Sequence, residues 1–346
     1  CSKPWAATLP RARCGVRERK FGSHSVIAAS GPEYLSRGRA RSAEDGRPVR
    51  RELDWERDGR DWPNREYSRF VEAAGMRWHV QMMGSGPPLL LLHGTGASTH
   101  SFGALAPLLA RDFSVCMPDL PGHGFTQTPP REFLSLPGMA RSIVVLLREL
   151  AFSPELCVGH SAGAAVAIQM TLGRMITPRA IVALNGALLP FGGLAGSLFA
   201  PLAKLLFRFP LVTNIFARRA QDPDAVRRLV EQTGSVLDEQ GIEYYRRLAS
   251  SPRHVEAALG MMANWDLHRF VEQIGRLKVP LTLVVGSRDH TIPPPQADRV
   301  KALLPQSRIV ALDRLGHLAH EERPKECAAV IRNAAIESGI AVQGQG

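Results

Sequence analysis

An apolar run ending at Val158 passes directly into Gly159-His160-Ser161-Ala162-Gly163, and a helical stretch opens at Ala164. That junction constrains the fold more than any other segment. A strand that becomes a helix within five residues needs a very tight turn, and a serine at its apex has its hydroxyl lifted clear of the backbone. Glycines two residues to either side let strand and helix approach where a Cβ would clash. Gly159, His160 and Gly163 are therefore read as the frame of a nucleophilic Ser161.

Such a serine needs a base and a group to orient that base. In a chain that alternates strands and helices both are expected later, in the order Ser, Asp, His, each after a strand. Leu281–Gly286 (LTLVVG) reads as a buried strand and runs into a Pro-rich loop with Asp289 at its apex. Residues 307–313 (SRIVALD) read as the next strand, followed by Arg314-Leu315-Gly316-His317 and a helical pattern from about Glu322. The interval between Asp289 and His317 holds one helix and one strand, so on parallel strands all three groups emerge at one sheet edge. His320 lies three residues beyond His317, a spacing that also suits a metal pair. No HExxH pattern or cysteine cluster accompanies it, so His320 is read as a loop brace and no metal is expected.

Acyl transfer also needs donors aimed at the developing oxyanion. Pro88–Leu92 (PLLLL) reads as a central strand ending in His93-Gly94-Thr95-Gly96, a loop able to present a backbone N–H. Thr95 N–H and Ala162 N–H are the expected pair; the second opens the helix after the nucleophile, whose dipole favours negative charge there. Taken singly, each signal has an ordinary explanation. GxSxG is a common pattern, a histidine after a strand is most often structural, and an aspartate in a Pro-rich loop most often forms a turn. Their joint order, each piece after a strand, carries the triad Ser161, Asp289 and His317.

His93-Gly94, Asp119-Leu120-Pro121-Gly122-His123-Gly124, the GHSAG elbow, Asp289 and Gly316-His317 together resemble the α/β-hydrolase fold superfamily, over about residues 68–338. Within it, segments that the general fold does not demand resemble the hydrolase-like magnesium-chelatase accessory proteins of bacteriochlorophyll biosynthesis, the BchO family. They are residues 53–64 (LDWERDGRDWPN), 77–81 (RWHVQ), 136–141 (LPGMAR), 184–193 (LNGALLPFGG) and 260–267 (GMMANWDL). The resemblance implies a mostly parallel central sheet flanked by helices, a place in tetrapyrrole metabolism and photosynthesis, and magnesium chelatase subunits as partners. It fixes no reaction.

The formal net charge of +11 invites a nucleic-acid reading. Residues 1–51, however, hold twelve Lys or Arg against four acids, which leaves only +3 for the rest of the chain. A nucleic-acid function loses its support. Residues 1–52 mix Arg with Gly, Ser and Pro without apolar periodicity and are read as a disordered basic extension: a tail, a fragment of something longer, or an upstream extension of the reading frame. Residues 341–346 are read as a flexible tail. Five cysteines give no framework, which suits a reducing cytoplasm. No phosphate loop or dinucleotide fingerprint appears, so no cofactor is expected.

Two antiparallel strands are expected over residues 68–84, then alternating strands and helices through residues 180–186, giving a first core part over 53–186 and a second over 279–340. Between them, residues 187–278 read as helices without a strong strand: a cap over the site. Its first part is very apolar, and Lys204, Arg208 and prolines break it before it could span a bilayer. Three readings of the cap stay open: a lid burying its own core, a pocket wall for a bulky apolar substrate, and a face touching the membrane surface, peripheral to the inner membrane. Phe191, Met261, Met262 and Trp265 are the pocket candidates, suited to a flat macrocycle such as a porphyrin and equally ordinary as core. The expected activity is that of a serine hydrolase on an apolar ester. Its rivals are a non-catalytic protein that delivers a porphyrin to magnesium chelatase, and a general carboxylesterase or C–C hydrolase.

Overall fold

The computed structural model describes residues 52–190 and 210–342. Residues 1–51 of the basic extension, Phe191 with the apolar stretch after it to residue 209, and the last four residues lie outside the described residues. Eight strands form one sheet: β1 (Ser68–Ala73), β2 (Met76–Met83), β3 (Pro88–Leu92), β4 (Ser114–Pro118), β5 (Leu156–His160), β6 (Ala180–Leu184), β7 (Leu281–Gly286) and β8 (Arg308–Leu312). Their order is β1-β2-β4-β3-β5-β6-β7-β8. The β1–β2 and β2–β4 pairs are antiparallel, and every other pair is parallel.

The central strands are unbroken apolar runs because both faces of the sheet are covered. Leu90 and Leu92 point into one core with Cys157, Ile143 and Ile168, under the helices Leu136–Glu149 and Ala162–Leu172. Leu89 and Leu91 point into the other with Val158, Phe102 and Ile331, under the helix Pro324–Glu337. All four leucines of β3 are fully enclosed, each worth about 1.5–3 kcal/mol of burial. Cys116, Cys157 and Cys327 are free, buried thiols, and burial pushes their ionisation upward.

The helix expected from about Glu322 arrives in two pieces, Ala319–Glu322 and Pro324–Glu337. Arg323 separates them at φ −137° and ψ 66°, since the residue before a proline is pushed out of the helical region.

Between β6 and β7 the described chain runs through the helices Pro210–Arg219, Pro223–Gln232, Glu239–Ala249, Pro252–Ala263 and His268–Ile274. Side chains cap three of them at the N-terminus. Asp222 accepts from Asp224 N–H, Asp238 from Gly241 N–H, and Ser251 from His254 N–H. Ala220, Val226, Val230 and Ile242 form a small cluster of their own, which Leu318 joins from the loop after β8. No described helix is long and apolar enough to cross a membrane.

Candidate active site

Parallel register brings the ends of β5, β6, β7 and β8 to one edge. His160 faces Leu184, Leu184 faces Val284, and Gly286 faces Leu312. Ser161 follows β5 directly, Asn185 follows β6, Asp289 lies three residues after β7, and His317 lies five after β8.

Ser161 sits at φ 50°, ψ −117°, a conformation a side-chain-bearing residue rarely holds, one that costs about 1–3 kcal/mol and persists only where its surroundings impose it. Here they do. Ser161 N–H donates to Leu184 O at 3.0 Å, and Ser161 O accepts from Ala164 N–H at 3.2 Å and Ala187 N–H at 3.0 Å. A Cβ on Gly163 would collide with the Leu92 carbonyl, and one on Gly94 would lie 2.8 Å from His160 Nδ1 and 3.0 Å from Ser161 Cβ. The elbow and the loop after β3 are therefore in direct contact. Ser161 remains half-buried, hence reachable.

Asp289 and His317 meet inside the protein. His317 Nδ1 lies 2.9 Å from Asp289 Oδ2, which also accepts from Asn185 Nδ2 at 2.8 Å; Asp289 Oδ1 accepts from Thr291 N–H and Ile292 N–H, both at 2.8 Å. The carboxylate is held in place against His317 by four donors. It puts the proton on Nδ1 and leaves Nε2 as a lone pair. Among the described residues, no hydrogen bond joins the Ser161 hydroxyl to His317.

Two further histidines buttress the site. His160 donates through Nε2 to the His317 carbonyl at 3.0 Å, and the two rings lie 4.8 Å apart. His93 Nε2 must accept, because its 2.8 Å partner is Leu120 N–H, so Nδ1 carries the proton and donates to Gly94 O at 2.8 Å. Burial pulls the proton affinity of both rings below the usual imidazole range. His320 does not meet Asp289. It is fully enclosed, 2.7 Å from Ser101 Oγ, which donates in turn to Glu321.

Neither Thr95 N–H nor Ala162 N–H is committed to a hydrogen bond among the described residues, so both remain available as donors. Met261 is fully enclosed, and its sulfur accepts from Thr95 Oγ1 at 3.3 Å. Met262 packs against Leu259 and Ala263, and Trp265 against the main core. Phe191 lies outside the described residues.

Sequence reasoning missed several members of this frame. Asn185 is one, signalled only by a polar residue at the end of a buried strand. Thr233 is another: its carbonyl receives both His290 N–H, at 3.1 Å, and His317 N–H, at 3.3 Å, while Ser235 Oγ accepts from Leu318 N–H at 2.8 Å. A turn of the helical insertion thus ties the aspartate loop to the histidine loop. A second Ser-His-Asp line also exists. Ser68 Oγ is 3.1 Å from His79 Nε2, and His79 Nδ1 is 2.8 Å from Asp119 Oδ2. Ser68 already accepts from Gln81 Nε2, and His79 is packed among Trp55, Phe70 and Phe125. That line serves as a structural latch between β1, β2 and the loop after β4.

The sheet order, the strained serine between β5 and its helix, and the buried Asp289–His317 pair are those of an α/β hydrolase. Residues 89–330 match the model of the alpha/beta hydrolase family, and the chain belongs to that family. Within it, the chain is 36% identical over 263 residues to the magnesium-chelatase 30 kDa subunit of Rhodobacter capsulatus, across 75% of this chain and 92% of that protein, and groups with it. It is 29% identical to the pyrrolizixenacetamide deacetylase of Xenorhabdus hominickii, across 74% of this chain and 94% of that one. Among solved structures, an α/β-hydrolase fold protein from Burkholderia ambifaria superposes with a TM-score of 0.65 at 22% identity, covering 77% of this chain and 99% of the other.

Proposed function

We propose that this protein is a serine hydrolase acting through an acyl-enzyme on an apolar, tetrapyrrole-related ester. The observation that carries the reading is the buried His317–Asp289 pair beside a serine held at positive φ. Ser161 Oγ attacks the acyl carbonyl and passes its proton to His317 Nε2, while Asp289 holds the Nδ1–H tautomer and stabilises the imidazolium. Thr95 N–H and Ala162 N–H receive the oxyanion. The imidazolium protonates the leaving alcohol, and a water deprotonated by His317 releases the acid. Catalytic contacts commonly tighten only with substrate bound, so the Ser161 hydroxyl swings to His317 as the ester enters. A serine nucleophile disfavours the alkyl-enzyme route of epoxide hydrolases and limits the bond to ester, thioester, amide or activated C–C.

A fluorophosphonate probe tests this directly. Prompt labelling of Ser161 that is lost in His317→Ala supports the enzyme. Ser161→Ala should remove about 10³-fold or more of ester turnover, and full turnover in that variant would end the reading.

The second reading is a carrier that keeps the hydrolase architecture and hands a porphyrin to magnesium chelatase subunits. The likeness to the magnesium-chelatase 30 kDa subunit supports it. Titrating Ser161→Ala protein with protoporphyrin IX tests it: a saturable shift of the porphyrin absorption favours the carrier, and an unchanged spectrum counts against it. Exposed Ile215, Phe216, Leu229 and Val236 on the insertion support contact with a lipid surface, which flotation with anionic vesicles would detect.

A further inference from the structure

We infer that His254, on the helix Pro252–Ala263 of the insertion, is a positioning residue for the oxyanion hole, aiming Thr95 N–H through two successive peptide planes. The inference rests on the serine-hydrolase reading above and deepens it.

In a trans peptide the carbonyl and the N–H point in opposite directions, so whatever holds one fixes the other. The N–H of Thr95 shares a peptide with the Gly94 carbonyl. Two donors hold that carbonyl: His93 Nδ1–H at 2.8 Å and Ala97 N–H at 3.2 Å. Ala97 N–H in turn shares its peptide with the Gly96 carbonyl, and His254 Nε2 is the 3.1 Å partner of that oxygen. The chain of orientation therefore runs from His254 to the Gly96–Ala97 peptide, then to the Gly94–Thr95 peptide, and ends on the free N–H. Each donor polarises the next, which strengthens the last one as well as aiming it.

The tautomer of His254 is fixed by its other nitrogen. Nδ1 lies 3.0 Å from Gly124 N–H, which can only donate, so Nδ1 accepts and Nε2 carries the proton. Burial holds the ring neutral, with its proton affinity lowered to about 4, so this polarity persists across the working range. One neutral ring thus bridges the loop after β3 and the loop after β4. Met261 adds a second hold from the same helix, its sulfur accepting from Thr95 Oγ1 at 3.3 Å. The helix packs closely on the loop after β4, since a Cβ on Gly122 would lie only 2.5 Å from Ala257 Cβ. This part of the insertion completes the oxyanion hole and is not a detachable lid.

Three variants of the full chain test the inference, with p-nitrophenyl butyrate as ester, a fluorophosphonate as covalent probe and phenylboronic acid as tetrahedral mimic. His254→Leu removes the donor to Gly96. The expected result is a fall of about tenfold or more in kcat and in the rate of Ser161 phosphonylation, with KM changed less than about twofold and boronate inhibition weakened in parallel with kcat. His254→Gln, whose amide reaches the Gly96 carbonyl, should recover most of the loss. His254→Asn, long enough for Gly124 and too short for Gly96, should not. All rates are referred to the folded fraction; if the leucine variant fails to fold, the glutamine and asparagine pair decides alone. Equal kcat and equal boronate affinity in wild type, His254→Gln and His254→Asn would overturn the positioning role while leaving the hydrolase standing. A wild-type protein that neither turns over the ester nor labels at Ser161 would overturn both.

Discussion

Asn185 donates its side-chain amide to Asp289 Oδ2 at 2.8 Å, the same oxygen that faces His317 Nδ1. The amide also reaches the Gly316 carbonyl at 3.2 Å, one residue before the histidine. A residue at the end of β6 therefore ties together the acid from the loop after β7 and the base from the loop after β8. Asn185 is itself at φ 47°, a left-handed conformation that asparagine tolerates better than most residues. The proposed triad is thus held by a buried polar network in which Asp289 has no free oxygen.

Removing that amide leaves Asp289 Oδ2 buried with one donor instead of two. Asn185→Ala is expected to lower stability by about 1.5–3 kcal/mol, the range for a hydrogen bond to a charged group. It should also slow phosphonylation of Ser161, because the imidazole loses part of its alignment. Urea unfolding and the labelling rate, measured on one preparation, check both. A variant as stable and as reactive as wild type would show that the network does not orient the acid.

The turn at Thr233, Gly234 and Ser235 makes a sharper prediction, because it joins both loops at once. Gly234 has φ 86°, and a Cβ there would strike the Arg288 carbonyl, next to Asp289. Gly75 has a similar φ of 73° with nothing within 4 Å of its Cβ position. Gly75→Ala should cost only backbone strain, about 1 kcal/mol, and leave labelling unchanged. Gly234→Ala should cost distinctly more and slow labelling, since Arg288 or the turn must move. Thermal midpoints and labelling rates of the pair separate strain from displacement.

How much of this was legible in the sequence follows from the range of each signal. The elbow announces itself because strand, turn and helix are contiguous, and small residues at 159 and 163 are a local steric need. Asp289 and His317 are readable because each follows an apolar run that reads as a strand, although β8, at the sheet edge, encloses only Leu312 while β7 is buried throughout. Asn185, Thr233 and His254 act through geometry between segments far apart in the chain. Thr233 and Gly96 contribute carbonyls, which any residue carries, so no side-chain pattern marks them. The choice between His317 and His320 is likewise decided by register: one imidazole faces Asp289 and the other faces Ser101.

The buried histidines predict an acid limit to stability. Burial lowers the proton affinity of His100 and His320 to about 3 and of His254 to about 4, and moves His93, His123 and His160 in the same direction. Unfolded, these rings bind protons below about 6.5, while the folded state stays neutral. The unfolded chain then binds more protons, and stability falls as pH drops from 6.5 toward 4, at about 1.4 kcal/mol per pH unit for each ring. His100→Asn, which keeps a polar atom for its 2.7 Å partner Ser98 Oγ, should flatten the slope by one ring's worth. Urea midpoints between pH 5 and 7 measure it, and an unchanged slope would mean that His100 is protonated in the folded protein.

Glu321 acts with the opposite sign. Burial raises its proton affinity to about 7, against the hydrogen bonds from Tyr245 and Ser101, which favour the charged form; Glu322 and Asp238 raise it further. His320, 3.8 Å away, supplies no compensating charge because it is held neutral. Between the ordinary carboxyl value and about 7 the folded state holds a proton that the unfolded chain has released, so stability declines as pH rises through that window, by about 3 kcal/mol in all. Several histidines outweigh one carboxyl, so the acid-side loss still dominates below pH 6. Glu321→Gln keeps an acceptor for Tyr245 and Ser101 but cannot ionise. It should match wild type near pH 5 and exceed it at pH 8, and urea unfolding at the two pH values gives the comparison. A variant less stable than wild type at pH 8 would show that the charged carboxylate is the form this site is built to hold.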